Sequence, residues 1–532
     1  MKKQQVFMVS VFAMLLFVLT ACASGSDPDE GKDSSSDGGA SDGTKDFVIA
    51  VHSDASTLDP TGSNDVPSHN MQEPIFERLL KRDENMELIP GLAKEWEFVD
   101  DTTVEFILEE NVTFHDGEPF NAEAVKKSLD RVLDPKVASP KYDNFAMIES
   151  VDVVDEFTVQ VKTSYPFAPI LAHLSHTGAS IISPKLIDED YKAIEEGKEP
   201  GAAISDNPIG TGPFKYEEWT PGEEITFVRN EDYWGEKAVL DTVTMKVSPE
   251  SGTRLADLER GFVHATDPVL PNEVAQINDG DFAEVLETSS TGLAFIGFNM
   301  KDGPFEDIRV RQAVSMALNK DEVIDGVYDG FGVKGKGPLA PKVFGYDEEI
   351  DGLQYDLEEA KKLLAEAGYE DGFTATLWTN DNPQRIDTAI LLQDALKDLN
   401  IELKIEQMEF GTYIEELKKG DHDLYMLGWT NPMLDADHGL YMLFHSSSIG
   451  VPPNAMWYEN DKVDELLEAG RQEMDDEKRL DIYKELQETI IEDAPMIFLD
   501  YQVYLTAVRN NVEGFRIDSG GIYHLEKVDM TE

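Results

Sequence analysis

Once its abundant carboxylates are set aside, this sequence offers few groups that could do chemistry. Gly330-Phe331-Gly332-Val333-Lys334-Gly335 has the glycine spacing of a dinucleotide fingerprint, and with Lys336 it approaches a Walker phosphate loop. Both chemistries require a strand before the glycines and a helix opening after them, so that backbone N–H groups meet the phosphates. Here an apparent helix over 320–329 precedes the string. Gly337 stands where the Walker serine or threonine belongs, and Pro338 follows, so a turn is expected. Of the ten histidines, His173 and His176 are spaced to share a helix face, and His438 and His445 flank one segment. No cysteine or spaced carboxylate completes a metal set around them, so no metal and no cofactor is expected. There is no Gly-x-Ser-x-Gly elbow and no His-Glu-x-x-His. With 106 acidic residues, close carboxylate pairs are unavoidable and are no sign of acid–base catalysis. A non-enzyme is expected.

The one cysteine, Cys22, excludes an internal disulfide. It follows a short positive start, Met1-Lys2-Lys3, and an apolar run from Val6 to Leu19 that suits a signal peptide and is too short to span a bilayer. Leu19-Thr20-Ala21-Cys22 resembles a bacterial lipobox, which implies a signal peptide over 1–21 and a lipidated Cys22. Residues 22–46 are dominated by Ser, Gly and Asp; that composition reads as a flexible tether. The body would be extracytoplasmic, held to the cell membrane by the lipid alone, on the cell surface or the periplasmic face. The formal net charge of −61 repels phosphate backbones, which argues against nucleic acid as a partner.

The elements that would position a site come in two styles. Alternation at Phe47, Ile49 and Val51, at Val104, Phe106 and Leu108, and at Phe157, Val159 and Val161 predicts strands, interrupted by a helix near 122–133. From about 294 to 500 helix and strand alternate. Asp356 with Glu359 predicts a capped helix that Gly368 stops. A strand at 373–377, a helix over 386–399 and a strand at 401–405 make a βαβ unit with a parallel pair. The apolar strand Leu424–Trp429 comes next. Open α/β sheets bind ligands beyond the carboxyl ends of their strands, which directs attention to the residues after Trp429.

Several strings resemble the peptide/nickel family of extracellular solute-binding proteins, the large cluster C class of ABC importers. They are Thr57-Leu58-Asp59-Pro60, Ile89-Pro90-Gly91-Leu92-Ala93, Phe114-His115-Asp116-Gly117, Asn207-Pro208-Ile209-Gly210-Thr211-Gly212-Pro213-Phe214, Tyr233-Trp234 and Arg309-Val310-Arg311-Gln312-Ala313. Most of these read as fold signatures; the Gly-Thr-Gly-Pro run suits a turn with positive φ. Gly428-Trp429-Thr430-Asn431-Pro432-Met433-Leu434-Asp435-Ala436-Asp437 resembles the ligand segment of dipeptide binders. The resemblance puts the ammonium acceptor at Asp435, with Asp437 as the second candidate and Trp429 and Thr430 beside the ligand. Leu434 and Ala436 replace the family's glycine and proline there. Thr379 stands where the family's carboxylate-clamping arginine would be. Nearby Arg385 reads either as the clamp or as a surface residue at a helix start.

The resemblance implies an α/β, two-lobed periplasmic-binding-protein-like fold of type II with an additional α+β subdomain in lobe I. Lobe I would comprise 47–80, 206–293 and 500–532, with 81–205 as the subdomain, and lobe II would be 294–499. The chain would cross between lobes near 293–298 and 498–503. The implied function is capture of short peptides, di- or tripeptides or a glutathione-like peptide, for an ABC permease, by a monomer. Nickel-chelate or haem uptake and peptide-pheromone reception share the fold and stay open as alternatives. A secreted hydrolase lacks a nucleophile or metal constellation.

Overall fold

The computed structural model describes residues 44–531. The signal peptide 1–21, Cys22 and the tether as far as residue 43 lie outside the described residues. The first strand, Asp46–Val51, begins one residue inside the span expected for the tether. Phe47 and Ile49 are fully buried on one of its faces and Ala50 on the other. It can be buried on both faces because it lies between two parallel neighbours, Thr242–Val247 and Ala265–Asp267.

One eleven-stranded sheet carries both lobes. Its centre is a pair of long antiparallel strands, Ala283–Phe298 and Met496–Arg509. Register shifts between Ser289 and Leu293 and between Ala294 and Phe295 bend this pair. The stretches 293–298 and 498–503 lie on these strands. To one side the order continues through Leu424–Thr430, Thr374–Asn380 and Glu402–Met408; to the other it runs from Ala265–Asp267 out to Phe214–Thr220. Side chains alternate across the sheet: Leu293 and Phe295 enter one apolar core of the second lobe, Ala294 and Ile296 the other. The βαβ unit is present, with Thr374–Asn380 parallel to Glu402–Met408 and helix Pro383–Ala395 between them. That helix starts three residues before its expected beginning at 386, because Asn382 accepts a hydrogen bond from the Arg385 backbone N–H and Pro383 suits the first turn. A separate four-stranded antiparallel sheet, Ala93–Asp100, Thr103–Leu108, Thr158–Thr163 and Ile148–Asp155, shares a core with helix Ala122–Leu133.

Three local expectations need correction. Val333–Lys334 is a short strand on Met496–Arg509, not only a turn, and a Cβ on Gly335 would lie 2.7 Å from the Phe498 carbonyl oxygen. His173 belongs to helix Ile170–Leu174, whereas His176 caps the following 3-10 turn, so the two share no helix face. Neither Gly210 nor Gly212 has a positive φ. They are needed for close approach, because a Cβ would stand 2.1 Å from the Ile75 carbonyl oxygen at Gly210 and 2.4 Å from that of Pro74 at Gly212.

Three of the recognisable strings meet at two buried carboxylate centres. Asp59 shares the fully buried Arg131 with Asp190, at 2.8 Å to each acid. Glu77 accepts from Tyr233, Trp234 and Thr211 at 2.7–2.9 Å. The Arg131 contacts tie Asp59 to helices Ala122–Leu133 and Pro184–Glu195, and those of Glu77 tie together separate stretches of the first lobe.

Candidate functional site

Strand Leu424–Thr430 ends at the seam, and the chain turns through Asn431–Leu434 into helix Ala436–Phe444. The turn is held from several sides. Leu434 takes φ +56°, the position where the resemblance led one to look for glycine. The Asn431 amide donates to the Asp435 carbonyl at 2.8 Å, and Thr291 Oγ1 donates to the Asn431 carbonyl at 3.1 Å. Asp435 caps the helix through the Asp437 N–H at 3.0 Å. Its carboxylate also accepts Arg479 Nη2, at 2.8 and 3.1 Å. Asp437 accepts Arg471 Nε and Nη2, at 3.0 and 3.2 Å. Both acids are buried, 4% and 2% exposed, so neither is a free charge at the seam.

A cavity of about 620 Å³ lies between the lobes beside this turn. Trp429, Thr430, Pro432, Leu434 and His438 line it from the second lobe. Trp429 and His438 stack at 5.7 Å, and the buried Trp429 Nε1 and His438 Nδ1 have no hydrogen-bond partner among the described residues. From the first lobe come His69, Glu73, Arg78 and Arg82, with Asp518 and His524 from the C-terminal segment. Arg78 grips Glu73 through two parallel hydrogen bonds of 2.6 and 2.7 Å. His524 donates to Asp518 at 3.0 Å. Burial alone would lower the His524 pKa, but its bonds to Asp518 and Glu526 raise it to about 9, so it is a cation at neutral pH. Val66, Met86, Met442 and Ile522 supply apolar wall. A smaller cavity, about 340 Å³, opens on the far side of Arg78 and Arg82; its walls come from the first lobe alone, so lobe closure would not enclose it.

Of the residues singled out from sequence, Trp429 and Thr430 line the larger cavity. Asp435 and Asp437 stand one layer behind it, bound to arginines. Arg385 lies away from it, donating to Asn380 Oδ1 at 3.0 Å, with Nη2 3.6 Å from where a Cβ on Gly428 would sit. The lobe I residues Glu73, Arg78, Arg82, Asp518 and His524 were not anticipated. The one available signal was the basic cluster Arg78, Lys81 and Arg82, unusual in so acidic a chain. Among the described residues no three His, Cys, Asp or Glu side chains gather as metal ligands.

The lobes touch at several points around the cavity. The Ala168 N–H donates to the Arg471 carbonyl at 2.9 Å, and His173 and His438 face each other at 6.2 Å. This arrangement encloses space between the lobes, which suits retention of a solute.

The family model of the bacterial extracellular solute-binding proteins, family 5 (middle region), matches residues 87–450. The dipeptide-binding protein of Escherichia coli (strain K12) is 31% identical over 481 residues, covering 86% of this chain and 89% of that protein. The glutathione-binding protein of Pectobacterium atrosepticum is 31% identical over 501 residues, with coverage of 92% and 95%. Among solved structures, the ABC transporter-associated periplasmic binding protein DppA of Helicobacter pylori, in complex with the peptide STSA, superposes with a TM-score of 0.76. Its identity is 30%, covering 91% of this chain and 98% of that one.

Asp435→Ala leaves Arg479 buried without its partner and is expected to lower unfolding free energy by about 3–5 kcal/mol. Urea denaturation measures this; unchanged stability with weakened ligand binding would instead make Asp435 a ligand contact. Burial pushes His69 down to about 3, His173 and His438 to about 4, and His176 well below the ordinary 6.5. Above pH 6.5 neither folded nor unfolded chain protonates these rings. As pH falls from 6.5 toward 4 the unfolded chain takes up protons that the folded protein refuses, so these histidines withdraw stability over that window. Denaturation midpoints across it are expected to fall more steeply for the parent than for His438→Gln, and equal slopes would refute the assignment.

Proposed function

The chain belongs to the bacterial extracellular solute-binding proteins, family 5, and from that premise we propose that it captures short peptides between its lobes for delivery to the permease of an ABC importer. It is a binding protein and not an enzyme. The ligand class is a di- or tripeptide, with glutathione-like peptides included; both ligand types appear in the names of its relatives.

The observation that carries this reading is the interlobe cavity. Its volume of about 620 Å³ falls within the range of roughly 300–1,000 Å³ usual for small-molecule sites. Cationic groups on one wall and apolar side chains around Trp429 suit a short zwitterion with an apolar side chain. Trp429 and Thr430 contact the ligand in this reading, while Asp435 and Asp437 act through the turn they hold. Closure about the two long central strands traps the ligand.

The protein acts as a monomer outside the cytoplasm, and Cys22, beyond the described residues, carries the lipid that holds it to the membrane. Among the described residues no helix is long and apolar enough to cross a membrane, so attachment in this reading rests on the lipid.

Calorimetry with dialanine and with glutathione is expected to show saturable binding by the purified chain, and small-angle scattering a smaller radius of gyration at saturation. Failure to bind either peptide would reject the peptide reading, and binding without compaction would reject closure. Cys22→Ala is expected to move the protein from the membrane fraction to the medium or periplasm; unchanged attachment would reject the lipid anchor.

A further inference from the structure

The guanidinium groups lining the cavity differ in one respect. Arg78 is neutralised by the two oxygens of Glu73. Arg82, at the end of strand Leu80–Arg82, has no carboxylate among the described residues within ion-pairing distance. Its Nη1 donates to the Met86 carbonyl at 2.6 Å and its Nη2 to the Met433 carbonyl at 2.7 Å. Carbonyls satisfy two of its five N–H groups and supply no negative charge. Burial lowers the Arg82 pKa to about 10, opposed by the more distant Asp435 and Asp518, so the group stays protonated at neutral pH.

A largely enclosed cation without a counter-ion is an unfavourable arrangement unless something else supplies the charge. Arg131 has Asp59 and Asp190, Arg471 has Asp437 and Arg479 has Asp435; the buried Arg254 and Arg311 have no acid among the described residues, but three and four backbone carbonyls accept from them and neither lines the cavity. Arg82 has two carbonyls and no acid among the described residues, and it stands at the cavity wall, where an arriving ligand could complete its set of partners.

Arg82 also reaches across the seam. Met433 lies in the second lobe, in the turn fixed by the Asp435–Arg479 pair. Arg82 belongs to the first lobe. Its side chain therefore spans the seam, and its hydrogen bond to Met433 exists only when the lobes are together.

We propose that Arg82 receives the carboxylate of the bound peptide and couples its arrival to lobe closure through the Met433 carbonyl. This deepens the peptide reading above and rests on it. An anion on the remaining N–H groups of the guanidinium supplies the missing charge while Nη2 holds the second lobe. Ligand and closure thus stabilise each other through one side chain. The peptide's carboxylate end faces the first lobe, and the aromatic pair Trp429 and His438 is left for the remainder. Arg385, the clamp suggested by sequence, also lacks an acidic partner among the described residues, but it stands outside the cavity.

The test compares dialanine with its C-terminal amide by calorimetry, on the full chain and on Arg82→Gln, Arg82→Lys and Arg385→Gln. The parent is expected to favour the acid by about ten- to a hundred-fold, the worth of a charge-assisted hydrogen-bonded pair. Arg82→Gln should erase that preference, and scattering should show it less compact at saturation than the parent; Arg385→Gln should keep it. Arg82→Lys retains a cation without the two-edged fork, so its preference should fall below the parent's; this arm decides the matter if Arg82→Gln does not fold. A parent that binds acid and amide equally overturns the Arg82 assignment and leaves peptide capture standing. So does loss of the preference in Arg385→Gln with its retention in Arg82→Gln, or an undiminished preference in Arg82→Lys. A parent that binds dialanine and glutathione in neither form overturns the peptide reading, and this inference with it.

Discussion

The site depends on one buried ion pair. Arg479, from helix Asp476–Asp493, reaches the Asp435 carboxylate at 2.8 and 3.1 Å, in a setting where both side chains are nearly free of solvent. Two desolvated charges persist there because each is the other's counter-ion and both have further hydrogen bonds. Arg479 also donates to the Gly470 carbonyl and to Tyr483 Oη, and Asp435 accepts the Asp437 N–H. The pair fixes where strand Leu424–Thr430 hands over to helix Ala436–Phe444. The Met433 carbonyl, the Trp429 ring and the His438 ring thereby keep their places at the seam. The neighbouring Arg471–Asp437 pair extends the same logic to the lobe contact, since the Arg471 carbonyl accepts the Ala168 N–H.

The first lobe is organised by equivalent means. Arg131 between Asp59 and Asp190, and Glu77 among Tyr233, Trp234 and Thr211, are closed polar networks whose members come from distant parts of the chain. Such networks fix one arrangement of the pieces they join.

The cavity is balanced in charge where the whole molecule is strongly acidic: Glu73, Asp143 and Asp518 line it beside its cations. The chain carries a formal net charge of −61, yet Arg78, Arg82 and a protonated His524 stand on the cavity wall. Two of these cations have acids bound to them, which lets the wall remain polar without attracting arbitrary anions. Net charge governs solubility and long-range steering, whereas the groups enclosed at the cavity wall act only at contact distance.

Local order was readable because the interactions that set it are between near neighbours. Alternation at 47–51 and 373–377, the Asp356 cap and the parallel strands about helix Pro383–Ala395 all follow from spacing along the chain. The placing of the ligand segment after Trp429 followed from sheet topology. The partners of the charged residues were not readable. Asp435 looks the same in sequence whether it awaits an ammonium or already holds Arg479, 44 residues away. Gly210 and Gly212 suggested positive φ, but only the folded chain shows the Ile75 and Pro74 carbonyls pressed against them. The cavity wall at 73–82 and 518–524 likewise exists only once the C-terminal segment returns to the first lobe and the second lobe closes on both. By itself the sequence determined the elements and the family-like strings, and it pointed to the segment after Trp429 that lines the cavity. The tertiary structure alone decided which charges are spent on the fold and which face the cavity, because desolvation, and with it the worth of a charge, depends on the chain segments that enclose it.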